Sequence, residues 1–421
     1  MSYMAENKIV VLDDDPTGIQ AIHDLVVYTS FDSDTLIKAF GSSYRIIFLS
    51  TNSRSLTKDE TIRLHKEIME NLFIAKEKTG KDFEVISRGD STLRGHYPTE
   101  TEIIAEVYKK HGTEIDGEII CPFLNGIRKT ENDIHYVLNN NEWIKCGDSE
   151  FAKDETFAYK SSDLKDYVEE KYGCKKSFVS IGLNEPEDTI ISKLEKVKDD
   201  TKIIVNALSD EDVEHFAKAL KKVKDKKFLC RTAASFVKAY GGVSFKPLLE
   251  YEDIADKNGN GVLVFAGSHV KKTNDQINTL IKNIPFEVLT YKDNKEELIK
   301  ETNRMLGERK NVLVETPREL IRVSDDPYER LMASRNLSKD FTSLLNGLKT
   351  KPEVIISKGG ITSYDVLGNG LGASEYYVLG QIISAVPVCK LLNGPFKGSN
   401  VIVFPGNVGN SDSLVQILKH N

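Results

Sequence analysis

The sequence predicts an α/β protein of two domains, each a largely parallel or mixed sheet flanked by helices. Three observations carry this expectation. Short β-branched runs alternate with amphipathic segments, the pattern of strand–helix–strand units. The alternation runs in two series, separated by a stretch of broken periodicity. The 421 residues also exceed what one hydrophobic core organises, since cores stop growing beyond about 300 residues.

In chain order, "NKIVVLDDD", "YRIIFLST", "FEVIS", "GEIICPF", "TKIIVNA" and "KKFLCR" read as strands that end in polar residues. Between the second and third, "TKDETIRLHKEIMENLFIAKEKTG" places Ile62, Ile68, Met69, Leu72 and Phe73 at helical spacing, with Gly80 as the C-terminal cap. The glycines and acidic residues of "AYGGVSFKPLLEYEDIADKNGNG" suit a linker, so the expected division is a first domain over 1–240, a linker over 241–261 and a second domain over 262–421. The second series then follows as "GVLVFAGSHV", "FEVLTY", "NVLVET", "PEVIISKGG" and "SNVIVFPGNVG".

With 40% hydrophobic and 29% charged residues the chain has a soluble globular composition, and no run of about 18 apolar residues could span a bilayer. "MSYMAENK" lacks the basic and apolar regions of a signal peptide, so a cytoplasmic location is expected. Cys121, Cys146, Cys174, Cys230 and Cys389 are scattered, which favours reduced thiols over a disulfide framework or a zinc knuckle. A formal charge of -7 argues against nucleic acid as a partner, and an anionic substrate would need locally placed donors.

In open parallel sheets, ligands bind beyond the carboxyl ends of the strands, which directs attention to the junctions there. The first strand runs into "LDDDPTG". Three consecutive carboxylates repel one another unless they cap, coordinate or catalyse. Asp15 before Pro16 suits a helix cap, which leaves Asp14 as the candidate ligand-facing carboxylate. The stretch "VISRGDSTLRGHYPTE" brings Asp90, Ser91, Thr92 and Arg94 within five residues, preceded by Arg88. Gly89 and Gly95 let the backbone bend closely, and a guanidinium there matches a carboxylate bidentately. Asp90 and Arg94 are also spaced to pair with each other, and both readings stay open at this point. "CPFLNGIRKT" adds Asn125 and Arg128.

The second half differs in character. "FAGSHVKKTNDQ", "SKGGITSYD" and "FPGNVGNSD" each lead a β-branched strand into a small-residue turn, including Gly406, Asn407 and Gly409 in the last. Such turns expose backbone N–H groups that cradle phosphate. Lys358 could add a point charge, or simply face solvent. No Walker A sequence, no G-x-G-x-x-G after a strand, no H-E-x-x-H and no G-x-S-x-G is present, which removes the P-loop, dinucleotide, zincin and serine-hydrolase fingerprints. His269 could contact a nucleotide or be satisfied by backbone, and the single Trp143 reads as structural.

These motifs resemble those of the four-carbon acid sugar kinase family. Its "DD-x-TG" is matched by Asp14, Asp15, Thr17 and Gly18, and its "DSTLRG" by Asp90 to Gly95; the second-half motifs resemble "GSHV", "GGIT" and "PGNVG". The resemblance implies an N-terminal domain that binds the sugar acid, a C-terminal domain that binds ATP, and phosphoryl transfer in the interdomain cleft. Family members act on acids such as erythronate, threonate and their 3-oxo relatives. Nucleotide contacts would then fall at Ser268, Gly359, Gly360, Ile361, Thr362 and Gly406. Departures from the family pattern are the extra Asp13, Pro16 in place of an aromatic, Arg88 in place of a lysine, and "GIR" near a usual "GR".

The expected activity is therefore an ATP- and Mg2+-dependent kinase of a small hydroxylated carboxylic acid, with Asp14, Asp90 and Arg94 as the catalytic set. Asp15, Thr17, Arg88, Ser91, Thr92, Asn125 and Arg128 are the expected substrate contacts; the Mg2+ ligands are unassigned. A homodimer is a possible assembly. Two rivals share the ingredients: an NAD-dependent hydroxyacid dehydrogenase, and a sugar-acid-binding protein without turnover.

Overall fold

The computed structural model describes residues 7–139, 141–267, 271–291, 294–317, 327–406 and 408–419. The chain divides into two compact units. The first takes the residues up to Ala21 and Ser30–Ser244; the second takes Ile22–Thr29 and the chain from Phe245 onward.

In the first unit the described strands form a parallel sheet in the order Ile46–Ser50, Lys8–Asp13, Phe83–Arg88, Phe228–Thr232, Gly117–Cys121, Thr201–Val205, Phe178–Ile181. Lys8–Asp13 is buried along its whole length, as expected of a strand covered on both faces by helices. The helix Lys58–Thr79 begins in a capping box, Thr57 with Glu60, and ends at Gly80 in the left-handed conformation at φ 69°. Ile68, Met69, Leu72 and Phe73 are its buried stripe.

After Gly117–Cys121 the chain leaves this sheet for a small antiparallel one, Arg128–Glu131, Ile134–Asn139 and Glu142–Lys145, which the sequence pattern did not announce. Its first turn carries Asn132 and Asp133 at φ 52° and 65°, a tight hairpin turn that these residue types tolerate. This sheet and the helix Leu164–Tyr172 pack into a cluster with Leu93, Tyr97, Val137, Tyr159 and Tyr167.

In the second unit Glu287–Thr290, Val312–Glu315, Val262–Ala266, Val354–Lys358 and Asn400–Phe404 lie side by side in parallel. Val386–Leu391, Glu375–Ile383 and Leu25–Tyr28 continue the sheet antiparallel. Two boundaries thus differ from those read in the sequence. Residues 22–29 lie in the second unit, because Leu25–Tyr28 pairs with Glu375–Ile383. The latter part of 241–261 is no free linker either: the short helix Tyr251–Ile254 buries Tyr251 and Ile254 in the core with Val264, Leu280 and Phe404. Its sparse apolar residues did not reveal this, because two of them suffice to anchor one turn.

Candidate active site at the strand ends

Parallel register brings the polar ends of the first unit's strands to one edge. Asp13 stands opposite both Ser50 and Arg88, and Arg88 opposite Thr232. The ladder extends one residue further through Thr51 N–H to Asp13 O at 2.8 Å, Asp14 N–H to Arg88 O at 3.2 Å and Gly89 N–H to Thr232 O at 2.8 Å. The three consecutive aspartates are thereby fixed in different directions.

Each finds its own surroundings. Asp13 is fully buried and pairs with Arg88 at 2.8 Å. Burial pushes its carboxyl up to about 7, against the opposing pull of Arg88. Asp15 accepts from the backbone N–H and hydroxyl of Thr17 at 2.7 and 2.6 Å and pairs with Arg54, so it caps the 3-10 turn Pro16–Ala21. Asp14 is held more loosely. It is 2% exposed, accepts from Asp90 N–H at 3.2 Å and lies 3.4 Å from Arg88. Burial raises its pKa, opposed by the guanidinium groups of Arg54, Arg88 and Arg231.

Asp90 accepts from Arg94 Nε at 2.7 Å and from the Thr92 hydroxyl, and lies 3.3 Å from Arg54. Despite its burial, the charges of Arg94 and Arg54 hold its carboxyl far below the usual range. Asp90 and Arg94 do pair, and Arg94 also approaches Asp154 at 3.5 Å. Arg88 faces Asp13 and Asp14, while Ser91 and Thr92 are buried in the loop.

The loop's backbone is held from outside. His135 Nε2 donates to Ser91 O at 2.8 Å, Tyr159 to Thr92 O at 2.8 Å and Tyr167 to Leu93 O at 2.8 Å. His135 stays neutral, since burial lowers its pKa to about 4. The glycines let a fourth arginine, Arg231, close in. A methyl group at Gly89 would overlap the Arg231 guanidinium, and one at Gly95, already at φ 114°, would sit 3.1 Å from both Asp14 Oδ2 and Arg231 Nη2.

Arg231, Arg54 and Glu100 belong to this cluster and were not picked out in the sequence. Arg231 Nη2 donates to Arg94 O at 3.1 Å, and its Nη1 lies 3.8 Å from Glu100. Glu100 accepts from Ser53 at 2.5 Å. The available signal was positional: Arg231 ends the strand "KKFLCRT", and Arg54 follows the strand "YRIIFLS". Among the described residues Asn125 shares no partner with the cluster; it is exposed and donates to Asp210 at 3.2 Å. Arg128 is buried, with Nη1 on Ile127 O at 2.6 Å.

In the second unit Ala266 lies opposite Lys358, and Lys358 opposite Phe404, so the turns that follow these three strands leave the same sheet edge. Gly359 has φ 115° and donates to Phe404 O at 2.9 Å before the helix Gly360–Asp365. Thr362 is buried against Gly267, where a Cβ would lie 2.5 Å from the threonine hydroxyl. Gly406 O accepts from Thr273 at 3.4 Å, and Gly409 sits at φ 78°. Lys358 does not face solvent. It is fully buried, donates to Pro405 O at 2.6 Å and lies 3.8 Å from the Phe404 ring, and burial pulls its pKa down to about 7. Ser268, His269 and Asn407 lie outside the described residues, and of Ile361 only the backbone is described. The glycine turns fit a phosphate chain as backbone cradles. Among the described residues no group of three or more His, Cys, Asp or Glu is arranged to hold a metal ion, and no step is assigned to Mg2+. Nor, among them, is any helix long and apolar enough to cross a membrane.

Comparison with known proteins agrees with this division of labour. Residues 9–240 match the family described as a sugar-binding N-terminal domain, and residues 263–414 the one described as a nucleotide-binding C-terminal domain. None of the curated proteins matches the sequence. Among solved structures, a Salmonella typhimurium LT2 protein provisionally named a tRNA synthase has a TM-score of 0.68 at 16% identity, over 98% of each chain. A Haemophilus influenzae protein from a family of unknown function has a TM-score of 0.63 at 17% identity, over 97% of this chain and 99% of its own. At such identities the likeness is one of fold. With both halves matched along their length, the chain belongs to the family that joins a sugar-binding N-terminal domain to a nucleotide-binding C-terminal domain, the architecture of the four-carbon acid sugar kinases.

Proposed function

We propose that the protein is an ATP-dependent kinase that phosphorylates a hydroxyl of a small sugar acid, a four-carbon acid or a close relative. The observation that carries this reading is Asp14. It is a buried carboxylate at a strand end of the sugar-binding domain, 3.4 Å from an Arg88 that pairs more closely with Asp13, and it has a raised proton affinity. Such a group suits the task of accepting a hydroxyl proton.

ATP supplies the phosphoryl group. Phosphoryl transfer otherwise asks mainly for positioning and charge neutralisation. Asp14 orients the acceptor hydroxyl and takes its proton. Arg54, Arg88 and Arg231 keep Asp14 from being protonated too readily and supply positive charge beside it. Asp90 and Arg94 brace the loop that carries them. Gly359, Gly360 and Gly406 would hold the nucleotide phosphates through backbone donors.

The test is a coupled ADP-release screen over four- to six-carbon sugar acids with ATP and Mg2+. Acid-dependent ADP release supports the proposal. Thermal protection by NAD but not by ATP, without ADP release, would replace it with the dehydrogenase reading. Gly360→Val should weaken ATP binding by about tenfold or more, since a branched side chain intrudes where backbone meets phosphate, and should leave acid binding near normal. Unchanged ATP affinity by calorimetry would move the nucleotide away from this turn.

A further inference from the structure

Most guanidinium groups around Asp90 and Asp14 already have a carboxylate: Arg88 has Asp13, Arg54 has Asp15 and Asp90, Arg94 has Asp90 and Asp154, and Arg231 has Glu100. Arg128 is the exception. It is 6% exposed, and among the described residues no carboxylate forms an ion pair with it. Its Nη1 is engaged by Ile127 O, while its Nε is buried without a hydrogen-bond partner. Its carbon centre lies 5.3 Å from the centroid of the Phe151 ring, and that of Arg94 lies 5.2 Å from the same ring. Burial pulls the Arg128 pKa downward; the charge of Asp90 opposes this only in part, and neighbouring Arg94 adds to the burial effect.

A buried cation with no carboxylate in ion-pair contact, set beside a second cation, is costly unless an anion joins it. The short hairpin Arg128–Glu131 with Ile134–Asn139 fixes the residue in place, and Arg128 N–H donates to Leu124 O at 2.8 Å. A planar fork lying on an aromatic ring, with one nitrogen on a backbone carbonyl and no carboxylate partner, matches a carboxylate.

We propose that Arg128, seated on Phe151, is the group that recognises the carboxylate of the sugar acid, and that Arg94 braces the loop instead. This rests on the sugar-acid reading of the first domain, but not on turnover. Arg128 and Phe151 then set the preference of the protein for acids over the matching polyols.

The experiment measures calorimetric binding of threonate and erythronate, and of threitol and erythritol, to the full chain without nucleotide. The wild type should prefer the acids. Arg128→Gln should weaken acid binding by about 10- to 100-fold, the scale of a lost charge-assisted hydrogen bond, and leave polyol binding within about twofold. Phe151→Leu, which keeps the arginine, should lower the same preference several-fold, and it carries the test if Arg128→Gln does not fold. An acid preference that survives both changes, or that disappears in Arg94→Lys alone, overturns the proposal. Absence of any acid binding by the wild type overturns it as well. The kinase reading is judged separately: ADP release with an unaltered preference in the variants leaves the kinase and removes the role of Arg128. Lost preference without ADP release does the reverse.

Discussion

Asp14→Asn should lower kcat by about 10²-fold or more while changing KM little, because a proton acceptor acts as charge develops in the transition state. The substitution is nearly isosteric, and Asp14 is not the main partner of any arginine in the cluster, so the fold should survive. The pH profile gives a second reading. Burial raises the Asp14 pKa, and the base works only when deprotonated, so wild-type kcat/KM should climb with pH through that pKa. In Asp14→Asn that limb should vanish. If kcat survives and KM alone rises, Asp14 binds the substrate and the proton goes elsewhere.

Arg88→Met should destabilise the first domain by about 3–5 kcal/mol near pH 8, the cost of removing one partner of a buried ion pair. Here the partner is Asp13, fully buried at 2.8 Å, with Asp14 beside it. The sign of the pH dependence follows from Asp13. Its pKa is about 7 in the folded protein against 3.8 for the free group, and losing Arg88 raises it further. A carboxyl with a raised folded pKa contributes stability that is present below the unfolded pKa and lost as pH rises through the folded one. The deficit of Arg88→Met should therefore be small near pH 4 and grow through pH 7. Urea unfolding can follow it locally, since the single tryptophan, Trp143, lies in this domain. Adding Asp13→Asn should restore at least half of the loss. A variant within about 1 kcal/mol of wild type at pH 8 would show that Asp13 is neutral there and needs no partner.

The sequence by itself determined the repeating strand–helix architecture and the place to look for chemistry. The β-branched apolar run at residues 9–12 reads as a strand covered on both faces, and the capping residues Thr57 and Gly80 bound their helix by local geometry alone. The aspartates of "LDDDPTG" and the loop "DSTLRG" were legible because charge and glycine concentrate there against local preference. The partners of those residues were not. Arg231 is remote in sequence from Asp14 and meets it only because parallel register sets Thr232 opposite Arg88, and Arg88 opposite Asp13. Nor could sequence separate the two readings of Arg94, since spacing that permits an ion pair with Asp90 also permits a ligand. The strand Leu25–Tyr28 and the helix Tyr251–Ile254 joined the second unit for a similar reason. A short apolar segment states that it will be buried; which sheet accepts it depends on the edge the folded chain offers.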